Sequence, residues 1–110
     1  MKVRKVKEVV ITKHAQYRGE KRVNVRGNTF VNMVLKAYTF GLGFENARQD
    51  MLEFIKRKYQ SEYKANNVKV WGRHVYIFKN NLLLSVIDLP KYLWSDWDSY
   101  SKYLKEKGMI

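Results

Sequence analysis

The chain has no cysteine, a single proline and no long apolar run, and each absence closes off a class of protein. Without thiols, neither a disulfide framework nor a thiolate metal site can form. An intracellular setting is the simpler expectation. With one proline and six glycines in 110 residues, no internal repeat, low-complexity segment or linker long enough to divide the chain stands out. No stretch approaches the ~18 apolar residues of a membrane-spanning helix. The opening Met1-Lys2-Val3-Arg4-Lys5 is positively charged with no apolar run behind it, and does not read as a signal peptide. Negative charge is scarce too: ten Asp and Glu stand against 22 Lys and Arg, a formal net charge of +12.

Apolar residues make up 45% of the sequence and aromatic ones 15%. These values favour a folded chain over a disordered tail. The length suits one domain, residues 1–110, with one core. The charge is lopsided. Residues 1–26 carry nine basic and two acidic side chains, more than half of the excess. A compact body charged this way attracts polyanions, and nucleic acid, RNA or DNA, is the expected partner. A merely basic protein with no such role is the plainer alternative.

Along the chain, Glu8-Val9-Val10-Ile11 reads as a short strand behind a basic arm, residues 1–8. Thr12 is a good N-cap for a helix over Lys13–Arg22. Gly19 inside that helix weakens it by about 1 kcal/mol relative to alanine and invites a close neighbour. Asn28 is expected to cap a second helix, Thr29–Phe40, ended by Gly41 and Gly43. A third is expected over Glu45–Tyr63, with Ala47, Met51, Phe54, Ile55, Tyr59 and Tyr63 as its apolar stripe.

From Asn66 the period changes to two. Val68 and Val70, then Val75-Tyr76-Ile77-Phe78, then Leu82 to Ile87 read as three strands. The turns fall at Trp71-Gly72-Arg73 and Asn80-Asn81, and Pro90 stops the run. Such spacing predicts an antiparallel meander. Asp96 or Ser95 would cap a short final helix in an aromatic extension, residues 93–110. The expected class is α+β: an N-terminal strand and helices packed on a C-terminal three-strand meander, in two layers.

Chemistry is sparse. There is no phosphate loop, dinucleotide fingerprint or zinc-protease helix. His14 and His74 have no acid at ligand spacing, so neither a metal nor a cofactor is expected. One constellation stands out: His14, Arg18 and Arg22 are four apart, which puts them on one helix face with about 40° of drift per step. Lys13, Tyr17 and Lys21 flank it. Histidine moves protons near neutral pH, and arginine holds phosphate through paired hydrogen bonds. His14 and Arg18 are thus the catalytic candidates. Phosphate contact is expected from Lys13, Arg18, Lys21, Arg22 and Arg26, with Arg73 and Lys79 added from the strands. Trp71, at a turn beside Arg73, is the candidate for stacking on a base. The plainer readings are that His14 caps the helix, that Arg18 and Arg22 are solvated, and that Trp71 covers the edge of the core.

Ile11-Thr12-Lys13-His14-Ala15 with Arg18 and Arg22, Lys64 to Gly72, Val75 to Phe78 and Leu89-Pro90 together resemble a family of small basic Firmicute phage and prophage proteins. The likeness covers about residues 9–92. More distantly, the element order is similar to the BrnT-like and RelE-like toxin superfamily. That resemblance implies binding of RNA in preference to DNA by the sheet and its flanking helix, in a bacterial cytoplasm, with an antitoxin or a host complex as a further partner. It also implies metal-independent RNA cleavage, with His14, Arg18, Arg73, His74, Tyr76 and Lys79 as candidates. Three functions follow: a toxin-like ribonuclease, a non-catalytic nucleic-acid-binding phage protein, or a phage inhibitor docking on a host or defence complex. For the last, the aromatic cluster Trp94, Trp97, Tyr100 and Tyr103 would suit an interface.

Overall fold

In the computed structural model, residues 3–6, 9–61 and 65–110 are described, the side chains of 3–6 and 61 excepted. The elements run β1 (Val3–Val6), β2 (Val9–Thr12), α1 (Lys13–Val23), α2 (Gly27–Phe40), α3 (Gln49–Ser61), β3 (Asn67–Trp71), β4 (His74–Lys79), β5 (Leu82–Asp88) and α4 (Trp94–Glu106). A 3-10 turn, Lys91–Leu93, leads into α4.

The meander forms as expected, with β3, β4 and β5 antiparallel. It extends into a mixed sheet because β2 pairs parallel with β5, at Val10 with Leu82 and Ile11 with Leu83. β1 adds an antiparallel edge to β2, giving the order β1-β2-β5-β4-β3. Residues 3–6 of the expected basic arm are thus a paired strand; Glu8, Tyr63 and the other arm residues lie outside the described ones.

Helices cover both faces, so the two-layer expectation is corrected to three layers. β4 shows why. Alternation sends Tyr76 and Phe78 to one face and Val75 and Ile77 to the other, and all four are fully buried. Tyr76 and Phe78 join Ala15, Phe30, Val31, Val34 and Ala37 of α1 and α2. Val75 and Ile77 join Val68, Val70, Met51, Phe54 and Ile55, with Leu93 and Trp97 from the C-terminal segment. An unbroken apolar run is the mark of a strand buried on both sides. The register of β5 shifts opposite Ile77 and Phe78, leaving Leu84 as an extra residue. That bulge puts Leu83 and Val86, three apart, on the α1 face.

Three boundaries differ from expectation for local reasons. α2 starts at Gly27, not behind an Asn28 cap. The Gly27 amide donates instead to Glu20 Oε2 at 2.7 Å, so an α1 carboxylate caps α2 from outside. α3 starts at Gln49, because residues 44–46 form a turn. α4 has no side-chain cap from Ser95 or Asp96; it continues the 3-10 turn from Leu93 and runs 13 residues.

α1 lies over β5 and against α2. Thr12 caps it, its Oγ1 accepting from the Ala15 amide at 3.0 Å. Ala15 and Gly19, one turn apart, are its buried residues. A Cβ at Gly19 would stand 2.4 Å from Phe30 Cζ and 3.3 Å from Val86 Cγ2. Phe30 is fully buried and has nowhere to move. Gly19→Ala should therefore destabilise the protein by about 1–3 kcal/mol through overpacking, although alanine is the better helix former. Chemical denaturation of the two proteins measures this, and a more stable variant would refute the contact.

Candidate nucleic-acid interface

The packing of α1 decides which side chains meet. With Ala15 and Gly19 inward, Tyr17, Arg18, Lys21 and Arg22 are exposed on its outer face. Lys21 and Arg22 sit in the last turn, where the helix dipole favours cations. Asn24 ends the helix in the left-handed conformation, φ 60°, and the chain turns through Arg26.

Tyr17, Arg18, Lys21 and Arg22 form a groove of about 440 Å³ whose other lining residue is Asp88, at the end of β5. A second groove of about 480 Å³ continues past Tyr17 and Lys21 to Glu20, Asn24 and Arg26. The Lys21 Nζ stands 4.5 Å from the centre of the Tyr17 ring. Among the described residues, the ion pairs within 4.0 Å are Arg73–Asp98 and His74–Asp88. Across the two grooves Arg18, Lys21, Arg22 and Arg26 stand with two carboxylates, Asp88 and Glu20, an excess of positive charge.

His74 opens β4 beside β5, opposite Asp88 in register. Its Nε2 lies 3.6 Å from Asp88 Oδ1, and the Asp88 side chain is 70% exposed. Partial burial pushes the His74 pKa below its ordinary value; Asp88 and a hydrogen bond with the Arg22 backbone pull it upward, and the Arg22 charge lowers it further. The ring is therefore neutral at pH 7 and gains a proton less readily folded than unfolded. Its contribution to stability is complete above the unfolded value of about 6.5 and declines as the pH falls below it. In His74→Gln the loss of stability between pH 7 and 5 should be smaller than in the parent. Denaturant melts across that range decide the point; equal losses would show that His74 is not the group responsible.

The expected site residues divide in space. Arg18, Lys21, Arg22 and Arg26 come together along the two grooves. Lys13 and His14 are exposed at the start of α1, and neither lines the grooves. Arg73 is engaged elsewhere: its Nη1 lies 2.8 Å from Asp98 Oδ1, and its guanidinium sits 4.7 Å over the Trp94 ring, tying the β3–β4 turn to α4. Trp71 packs edge-on against Trp97 at 5.1 Å, as the plainer reading had it. Lys79 ends β4, about 16 Å along the strand from His74. Tyr76, implied by the resemblance, is a core residue with no exposed surface and cannot reach a substrate. Its hydroxyl has no hydrogen-bond partner among the described residues, and burial pushes its pKa upward. An unpartnered buried hydroxyl costs free energy, so Tyr76→Phe should be neutral or stabilising by up to about 1 kcal/mol. Thermal unfolding checks this; a clear loss of stability would mean that the hydroxyl is partnered.

Sequence reasoning missed Asp88, whose carboxylate meets His74 only through strand pairing. It placed Tyr17 merely at the flank.

Among the described residues, no group of three or more His, Asp and Glu side chains could hold a metal ion. Nor is any helix long and apolar enough to cross a membrane. Comparison with family models, curated proteins and solved structures returned no match.

Proposed function

We propose that the protein binds nucleic acid through the outer face of α1, with Arg18, Lys21, Arg22 and Arg26 on the phosphate backbone. One observation carries the reading. These four cations line two grooves that share a wall, against one carboxylate in each. An excess of like charge held along one face raises its own energy, and a polyanion relieves that cost. Arginine adds paired hydrogen bonds to phosphate oxygens. RNA is the favoured polymer, and a phage origin, a cytoplasmic site of action and a RelE-like or BrnT-like ancestry belong to the same reading. Their support is the sequence resemblance and the strand, helices and meander order.

Cleavage has less support than binding. The meeting of His74, Asp88, Arg18 and Arg22 gives a nuclease reading its best geometry, with His74 in the place first assigned to His14. A docked host protein is the second reading, resting on the exposed Tyr92 and Tyr103 in and before α4.

Four phosphate contacts predict a log–log salt slope of roughly −3 on single strands. Arg18→Ala and Arg22→Ala should each flatten that slope by about 0.7 and weaken binding, while Arg73→Ala, engaged with α4, should change it little. Fluorescence anisotropy on labelled RNA at several salt concentrations measures this. A slope near zero for the parent protein would overturn the proposal.

A further inference from the structure

We propose that the α1 grooves take single-stranded nucleic acid, with one base stacked on Tyr17. This rests on the phosphate-binding reading above and adds the class of strand.

Tyr17 is 57% exposed, a large apolar surface to leave in water on a structured helix. Two other exposed rings, Phe44 and Tyr103, have aromatic neighbours, Tyr59 edge-on at 6.0 Å and Tyr100 stacked at 6.2 Å, and the exposed Tyr92 lines neither groove. Tyr17 has instead a lysine over its ring. It also stands at the junction of both grooves, since each is lined by Tyr17 and Lys21. A strand following the grooves would pass this ring with Arg18 and Arg22 on one side and Arg26 on the other. Cations that track a backbone, with an aromatic ring set between them, are what a single strand needs. Every base has a flat face to stack, whereas the bases of a duplex are already stacked on one another.

Asp88 fits the same picture. A carboxylate in the wall of a phosphate groove repels phosphate, but it accepts hydrogen bonds from the N–H groups at the edge of an unpaired base. Asp88 therefore suits its wall of the groove to a base edge, beside the backbone contacts of Arg18 and Arg22. RNA and DNA single strands share this chemistry, and separate probes tell them apart.

The test is anisotropy with labelled 12-nucleotide single strands of RNA and DNA and with the matching duplexes, at two salt concentrations. The parent protein should hold at least one of the single strands more tightly than its duplex. Tyr17→Ala should weaken single-strand binding roughly tenfold, leave duplex binding and the salt slope unchanged, and be rescued by Tyr17→Phe. Because Tyr17 is exposed and outside the core, the variants should fold, and circular dichroism verifies this. If Tyr17→Ala leaves single-strand binding unchanged, or weakens strand and duplex alike, the stacking inference fails while the phosphate-binding reading stands. If the parent binds none of the four probes in a salt-dependent way, both fail.

Discussion

The architecture of the cationic face depends on one close contact, the approach of the Gly19 backbone to the Phe30 ring and to Val86. A helix with a side chain at that position would have to stand further from the sheet. At that greater distance, the Arg22 backbone would not reach His74, and Arg18 and Arg22 would not share a groove with Asp88. The residue that most weakens α1 as a helix is therefore the one that lets it sit where its outer face can work. Packing supplies what propensity withholds, since Ala15 and Gly19 lie against a core that contains the fully buried Phe30 and Phe78.

The same element carries two opposing electrostatic duties. Its outer face gathers Arg18, Lys21 and Arg22, which repel one another. Its one carboxylate, Glu20, accepts from the first amide of α2 and from Gln16 Nε2 at 3.0 Å. That carboxylate holds two helices together and lines the second groove beside Lys21 and Arg26. On the opposite layer the charges are paired: Arg73 with Asp98, over the Trp94 ring. Arg73, on the α4 side, is thus used in construction, whereas Arg18, Lys21 and Arg22 line the groove.

Much of this was legible in the residues, because local signals set it. Thr12 as a cap, the Asn80-Asn81 turn and the apolar alternation of β3 each rest on chemistry within a few residues. The helix layer on the second face was not read, because an apolar run of four such as Val75 to Phe78 fits a single-sided strand as well as a strand buried on both faces. What could not be read were the meetings of distant segments. β2 finds β5 across some seventy residues, the bulge at Leu84 resets which side chains face α1, and Asp88 reaches His74 only through strand register. The cap of α2 was misassigned for the same reason: Glu20 lies seven residues back, on another helix. Of the candidate site, the α1 cations follow from helix spacing alone, whereas the carboxylate and imidazole in their company come from the sheet.

That long-range pairing has a consequence for how the protein is made. β2 and α1 leave the ribosome early, yet the strand that receives β2 and forms the far wall of the groove is the last of the sheet to be synthesised. Closing so long a loop is slow, and its entropy must be lost before the pairing gains anything. Until β5 is made, β2 has no parallel partner and α1 lacks the strand it packs over. The groove is thus a product of completed folding, and any truncation before Leu82 removes it together with the strand that builds it.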